Sequence, residues 1–225
     1  MTARRLLAID TSGTNAVVAL GEADGSILTE RRWPAGYRHG EELLTRIDEM
    51  LTAAGVSLAD LGGIVVGTGP GAFTGLRVGL ATAKGLDHGL GLPIAAVPTS
   101  EALLDAASQD GRFERAKAVL LLPAGPSDRV VVAAGKARLV RGGDDPEIEP
   151  GAAVVAVDLP GRAPQEALAL GEQAEAGLAG ALLRLGQLRL AAGGDDVALL
   201  VPEYVTLPRG VPVQKGEVRW SHDQR

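Results

Sequence analysis

Residues 5–33 read RLLAIDTSGTNAVVALGEADGSILTERRW, short apolar runs separated by turn residues. The runs Arg5–Asp10 and Asn15–Leu20 each have the length of a buried β-strand, and a turn-rich segment joins them. Asp24-Gly25 is a hairpin signal, and Ser26–Trp33 follows it as a third strand. This stretch therefore predicts a three-stranded antiparallel meander at the start of the fold.

Helices and single strands alternate after the meander. The interval His39–Ala54 places its apolar side chains on one helical face. The elements predicted after it are the strand Ile64–Gly67, the helix Phe73–His88, the strand Pro93–Val97 and the helix Thr99–Ala107, which Thr99 can cap. The order β-β-β-α-β-α-β-α predicts an α/β fold with a mixed sheet and helices on its faces. It is the order of the ribonuclease-H-like lobe found in the actin/Hsp70-like (ASKHA) superfamily.

The second half of the chain predicts a smaller lobe. Its strands are expected at Ala118–Leu122, Arg129–Ala134, Ala137–Arg141 and Ala152–Val157, and a helix follows at Gln165–Leu190. Gly171, Gly177, Gly180 and Gly186 weaken that helix prediction, because glycine inside a helix costs about 1 kcal/mol relative to alanine. We expect a first lobe over residues 1–108, a reduced, degenerate second lobe over 109–208 and a flexible polar tail over 209–225.

Composition limits the classes of function. The chain has 225 residues, 46% of them hydrophobic and 22% charged, as in a globular protein. The lack of cysteine excludes disulfides, zinc–thiolate sites and thiol nucleophiles. The formal net charge is −6 and aromatic residues make up 3%, so direct binding to nucleic acid is not expected. The run Leu6–Ile9 is too short for a signal peptide and no stretch suits a membrane helix, so we expect a cytoplasmic protein without membrane attachment.

Two turns carry candidate residues for weak binding of a nucleotide or phosphate. Asp10, Thr11 and Ser12 end the first strand, where a carboxylate beside hydroxyl and N–H groups suits a phosphate with its magnesium ion. Gly69 and Gly71 lie in the loop before the second helix, whose N-terminus attracts anions. The alternative in each case is structural: the side chains of Asp10 and Ser12 satisfy a turn, and the glycines allow a tight strand-to-helix connection.

A stripe of small residues runs along the second helix. Gly75, Gly79 and Ala83 recur every four residues, and Ala81 and Gly85 add further small side chains. Because glycine is costly inside a helix, the stripe indicates close approach by another backbone. The residues alone leave open whether that backbone belongs to the same lobe or to a partner.

Other catalytic arrangements are missing from the sequence. The histidines His39, His88 and His222 offer no i, i+4 pair for a metal site on one helix. The first strand of the second lobe runs into Pro123-Ala124-Gly125-Pro126, without the carboxylate that a two-lobed kinase needs at this point. Half of a phosphotransfer site is therefore missing, and no set of metal ligands is predicted.

Several segments of the sequence resemble the TsaB (YeaZ) family. They are Ile9–Ser12, His39–Leu44, Val66–Gly79, Ala81–Leu86, Pro98–Leu103 and Pro202–Val205. The match covers residues 5–107 well, and its glycine-phenylalanine-threonine core is highly specific. Relatives usually carry Asp-Ala-Arg early in the second lobe, where this chain has Pro123-Ala124-Gly125, so the second lobe departs from the family pattern.

The resemblance implies a non-catalytic subunit. Proteins of this family heterodimerise with the related catalytic subunit TsaD and, with the small ATPase TsaE, support formation of threonylcarbamoyladenosine beside the anticodon of certain tRNAs. The chain itself would need no cofactor, ATP and a metal ion would serve the partner complex, and tRNA would be reached through that complex. The resemblance places the partner interface on the first-lobe helices, at His39, Phe73, Thr74, Gly75, Leu76, Arg77, Gly79, Leu80 and Ala83.

Three alternatives come from other classes of function. A small-molecule kinase of the same superfamily would turn over ATP by itself. A nucleotide-binding homodimer would use the turn at Asp10. A metallopeptidase would need paired metal ligands, which the sequence lacks.

Overall fold

The structure is a computed structural model that describes residues 4–34 and 39–205. The predicted tail over residues 209–225 lies outside them. The first lobe contains β1 (Arg5–Asp10), β2 (Asn15–Gly21), β3 (Ile27–Pro34), α1 (His39–Ala53), β4 (Leu61–Gly67), α2 (Phe73–Leu90), β5 (Ile94–Val97) and α3 (Thr99–Ala107). The second lobe contains β6 (Val119–Ala124), β7 (Asp128–Ala133), β8 (Lys136–Val140), β9 (Val154–Ala156) and α4 (Gln165–Ala191). None of the helices within the described ranges has the length and hydrophobicity needed to cross a membrane.

Five strands form a mixed sheet in the first lobe, in the order β3-β2-β1-β4-β5. The strands β1, β2 and β3 pair in antiparallel fashion, whereas β4 runs parallel to both β1 and β5. The predicted bounds of β1 and α3 are confirmed, and the other elements of this lobe differ only at their ends. The predicted α/β fold with an initial meander and a mixed sheet is therefore confirmed.

The first sheet separates two hydrophobic cores. Leu7 and Ile9 of β1 point to one face, where side chains of α1 and α2 such as Met50 cover them. Leu6 and Ala8 point to the other face, which α3 and α4 cover. Because successive side chains alternate across a strand, the single buried strand β1 supplies both cores.

The second lobe is a small sheet packed on one long helix. Its strand order is β8-β7-β6-β9, with only the β6–β9 pair parallel. The helix α4 contacts this sheet and then continues across the first sheet. A Cβ added at Gly171 would overlap the Ala156 carbonyl of β9, and one at Gly186 would overlap Val65 of β4. These glycines cost helical propensity, but they let one continuous helix approach both sheets closely.

Residues 195–205 return from α4 to the first lobe. Asp195 binds the edge strand β5 through two hydrogen bonds of 2.8 Å. Leu200 is buried in the core beneath α1 and α2. The backbone N–H of Glu203 donates to the Thr68 carbonyl at 2.8 Å, at the start of the glycine loop. This segment therefore packs with the first lobe, and the predicted boundary between the lobes stays a prediction.

Candidate functional site

Asp10 is a buried carboxylate at the end of β1, with 1% of its surface exposed. Its Oδ1 accepts hydrogen bonds from Ser12 N at 2.9 Å and Ser12 Oγ at 2.7 Å. Its Oδ2 accepts one from Thr99 Oγ1 at 2.6 Å. Burial raises the pKa of Asp10, and these hydrogen bonds oppose that rise. The chain's own donors therefore surround the carboxylate.

Thr99 has a role that differs from the predicted one. The N-cap of α3 is Pro98, so the prediction that Thr99 caps this helix is wrong. The Thr99 hydroxyl instead donates to Asp10 and accepts a hydrogen bond from Gly69 N at 3.0 Å. Thr99 thus joins the end of β1 to the glycine loop, a link across 89 residues that no local pattern indicates.

The glycine loop packs directly on the turn between β1 and β2. A Cβ at Gly67 would overlap the Asp10 carboxylate, and one at Gly71 would overlap Ser12. The Ala72 N–H donates to the Ser12 carbonyl at 2.7 Å. The structure brings the predicted phosphate-binding residues together, but their polar groups bind one another. This geometry favours the structural alternative, and phosphate binding stays a prediction.

The small-residue stripe of α2 faces the inside of the first lobe. The Thr11 hydroxyl donates to the Gly75 carbonyl at 2.7 Å, and a Cβ at Gly79 would overlap Thr11 Oγ1. The closely approaching chain is therefore the β1–β2 turn of the same lobe. We correct the interface assignment for the α2 residues that this chain itself buries, which are Gly75, Leu76, Gly79, Leu80 and Ala83.

The opposite side of α2 is open to solvent. Thr74, Ala81 and Gly85 are exposed, and a Cβ at Gly85 would meet no atom within 4 Å. Of the residues predicted for the interface, Thr74 and Arg77 are exposed and Phe73 is half-buried. A second run of small residues therefore lies on the exposed side, where another helix could approach.

Helix α1 borders this open side of α2. A Cβ at Gly40 would lie 4.0 Å from Val78, which sets the first turn of α1 against α2. Leu44, one turn further along the same side of α1, is 57% exposed. We call the exposed surface formed by Leu44, Thr74, Ala81 and Gly85 the α1/α2 face. The side chain of His39, also predicted for the interface, lies outside the described part of the structure.

Two aromatic rings hold Arg77 at the start of α2. Its guanidinium carbon lies 3.9 Å from the centroid of the Phe73 ring, a favourable cation–π distance. Its Nε donates to the Tyr204 hydroxyl at 2.8 Å, and the two ring centroids are 4.9 Å apart. Segment 195–205 therefore helps to fix two of the predicted interface residues, Phe73 and Arg77.

A cleft with a volume of about 450 Å³ lies between the two lobes. Turn residues from Ser12 to Asn15 line it on the first-lobe side. Three charged residues that the sequence analysis did not single out also line it: Arg32, Asp158 and Glu175. Burial raises the pKa of the Glu175 carboxyl, the charge of Asp158 raises it further, and Arg32 acts in the opposite direction. These three residues come from distant parts of the chain, so no sequence motif joins them.

The second-lobe end of the cleft carries no phosphate-binding carboxylate on β6. This strand ends at Ala124, and the next carboxylate along the chain, Asp128, accepts a hydrogen bond from Gly142 N at 2.8 Å. Asp128 thus stabilises the loop that follows β8. Within residues 4–34 and 39–205, no three acidic or histidine side chains converge as a metal site would require.

Comparison with known families gives one match that covers most of the chain. The family model of TsaD, described as tRNA N6-adenosine threonylcarbamoyltransferase, matches residues 34–184, about two thirds of the sequence.

Curated relatives match shorter stretches. The tRNA threonylcarbamoyladenosine biosynthesis protein TsaB of Escherichia coli is 38% identical over 95 residues, which cover 42% of this chain and 40% of that protein. A tRNA N6-adenosine threonylcarbamoyltransferase of Geotalea uraniireducens is 51% identical over 63 residues, 28% of this chain and 18% of that protein. The chain spans about half the length of the curated relatives it matches.

The fold has a solved counterpart. YeaZ from Pseudomonas aeruginosa superimposes with a TM-score of 0.64 at 23% identity, covering 89% of this chain and 99% of that one. At this level of identity the match shows a shared fold, and it extends over both lobes.

Proposed function

The chain belongs to the TsaD family, and we propose that it is a non-catalytic subunit of the TsaB/YeaZ type. In this role it supports a TsaD-like transferase in threonylcarbamoyladenosine formation on tRNA. The observation that carries the proposal is the state of Asp10. Asp10 is 1% exposed and accepts hydrogen bonds from Ser12 and Thr99 on its two oxygens, so the carboxylate is engaged in holding the fold. A catalytic member would need such a carboxylate for a phosphate or its metal ion.

The α1/α2 face is the surface we propose for the TsaD-like partner. Small residues on α2 allow a second helix to approach closely, and Leu44 supplies an apolar anchor beside them. Arg77, held over Phe73 by Tyr204, presents a fixed positive charge at one end of the same helix. An interface with an apolar centre and an arginine near its rim is typical of protein–protein contacts. The ATPase TsaE and the tRNA would then act through the assembled complex.

A size series at Gly85 tests this surface. Gly85→Ala should retain partner binding and Gly85→Leu should lose it, because a long side chain holds two helices apart. Overpacking of this kind costs about 1–3 kcal/mol, which corresponds to a loss of about five- to 150-fold in affinity. The measurement is isothermal titration with the TsaD-like protein of the same organism, combined with a tRNA-modification assay containing ATP and the TsaE-like ATPase.

Control measurements distinguish an error in the proposed interface from an error in the proposed function. The melting temperatures of both variants should not fall, since a Cβ at Gly85 touches nothing in this chain, and the higher helix propensity of alanine and leucine should raise them slightly. Equal partner affinity for the two variants would show that the interface lies elsewhere on the chain. A wild-type chain that neither binds the partner nor stimulates tRNA modification would refute the proposed function. Self-association abolished by Gly85→Leu, with no partner binding, would favour the homodimer.

A further inference from the structure

The cleft between the lobes has apolar walls. Leu103 of α3, Leu122 of β6 and Leu178 of α4 line it, and Phe73 contributes a ring at the start of α2. Its volume of about 450 Å³ is within the range of about 300–1,000 Å³ that small-molecule sites occupy. The cleft can therefore enclose an organic molecule with an apolar body.

The polar side of the same cleft is acidic. Asp158 and Glu175 both line it, and they are close enough that the charge of Asp158 disfavours ionisation of Glu175. Among the residues that the structure describes, neither carboxylate forms an ion pair with a cationic side chain within 4.0 Å. Arg32, the side chain of Asn15 and the charge of Glu172 also act on Glu175.

Arg32 is the cation that lines this cleft, and its guanidinium has other partners. It lies 3.8 Å from the Glu30 carboxylate and donates to the Ala176 carbonyl at 3.4 Å. Two carboxylates with one shared cation leave the cleft with surplus negative charge. Half-buried charges without a full complement of partners cost folding free energy, so their presence needs a reason beyond packing.

We propose that this cleft binds a small organic cation, an amine or guanidinium group carried on an apolar body. The cationic group would lie between Asp158 and Glu175, and the apolar body would lie among Leu103, Leu122 and Leu178. A charge-assisted hydrogen bond to a carboxylate is stronger than a neutral one, which gives the site its selectivity. A polyphosphate placed here would meet the same carboxylates, so the site disfavours nucleotides. The inference does not depend on the partner proposed above.

Three indole compounds of similar size test the charge selectivity. Tryptamine is cationic, tryptophol is neutral and indole-3-acetate is anionic at neutral pH. We expect tryptamine to bind the full chain at least tenfold more tightly than tryptophol, and indole-3-acetate and magnesium-ADP to bind more weakly than tryptophol. Isothermal titration calorimetry measures the affinities, and NMR chemical-shift changes of cleft residues locate the bound compound.

Glu175→Gln removes the charge with little change in shape, and Glu172→Gln is its matched control. Glu172 is exposed on the same helix, changes the net charge equally and does not line the cleft, although its charge also contributes to the raised pKa of Glu175. We expect Glu175→Gln to reduce the preference for tryptamine to below threefold and to raise the melting temperature of the free protein. Glu172→Gln should change both quantities much less, because burial and Asp158 act on Glu175 more strongly than Glu172 does. Asp158→Asn is a second variant, since asparagine accepts the positive φ of 54° at this position.

Several outcomes would overturn the proposal. One is a preference for tryptamine that does not exceed tenfold in the wild type. Another is an equal loss of preference in Glu172→Gln and Glu175→Gln, which would assign the effect to net charge. Unchanged preference in both Glu175→Gln and Asp158→Asn, or tighter binding of magnesium-ADP than of tryptamine, would also refute it.

Discussion

Replacing Gly79 by leucine should strongly destabilise the first lobe. A Cβ at this position would already overlap Thr11 Oγ1, and the leucine side chain would extend further into the β1–β2 turn. The intrusion would also displace the Thr11 hydroxyl from the Gly75 carbonyl, which it binds at 2.7 Å. Overpacking of a buried contact costs about 1–3 kcal/mol and occasionally more. For a chain of this size each kcal/mol lowers the melting temperature by about 2–4 °C.

Gly85→Leu is the matched control for this experiment, because the same substitution falls on the same helix. Its Cβ would meet no atom within 4 Å, so the melting temperature should not fall, and the higher helix propensity of leucine should raise it slightly. Scanning calorimetry on both variants makes the comparison. Equal destabilisation by the two substitutions would show that α2 is sensitive to leucine on either side. A Gly79→Leu protein with wild-type stability would contradict the buried position of the stripe.

The sequence could predict that α2 has close neighbours but not which side of it they occupy. Small residues lie on both sides of this helix, as Gly75 and Gly79 on one and Ala81 and Gly85 on the other. Helical periodicity describes both sides equally well. The decision rests on Thr11, whose hydroxyl reaches α2 across 64 residues of sequence. Such a contact depends on the three-dimensional fold, and for this reason the interface assignment needed correction.

The fold itself was largely predictable because its strands are short, apolar and bounded by turn residues. The bounds of β1 follow directly from such local signals, and those of α3 were predicted correctly although Thr99 is not its cap. The helix α4 was harder to predict, because glycines such as Gly171 and Gly186 lower its propensity. Their reason is tertiary: α4 lies so close to β9 and β4 that a Cβ would not fit. Tertiary packing here outweighs intrinsic propensity.

The cleft shows the limit of sequence reasoning for the candidate site. Asn15, Asp158 and Glu175 come from β2, the segment after β9 and α4. Each is an ordinary polar residue in its local context. The packing of the two lobes brings them together. Their position in one half-buried cleft is what makes the two neighbouring carboxylates notable. The same holds for Tyr204, which binds Arg77 across 127 residues.

Replacing Asp10 by alanine should cost the protein about 2–4 kcal/mol of folding free energy. The substitution leaves three donors near the centre of the lobe without their acceptor: Ser12 N, Ser12 Oγ and Thr99 Oγ1. An unsatisfied buried donor costs about 1–3 kcal/mol, and partial rearrangement of the two hydroxyls reduces the sum. Urea unfolding at neutral pH measures the loss. A change below about 0.5 kcal/mol, within the usual range of surface substitutions, would contradict the structural role of Asp10.

Asp10→Asn separates the hydrogen bonds from the charge. Asparagine keeps an oxygen for the two Ser12 donors, so it should destabilise the protein less than alanine does at neutral pH. Burial raises the pKa of Asp10, so in the pH range above the usual aspartate value the folded wild type binds more protons than its unfolded chain. The stability of the wild type relative to Asp10→Asn should therefore fall as pH rises through that range, because the variant has no carboxyl to ionise. Urea unfolding of both proteins would be measured at pH values about one unit apart, from about pH 4 to about pH 8, and the two stabilities compared at each pH. A stability difference that stays constant, or that grows in favour of the wild type as pH rises, would show that the hydrogen bonds from Ser12 and Thr99 outweigh the burial of the charge.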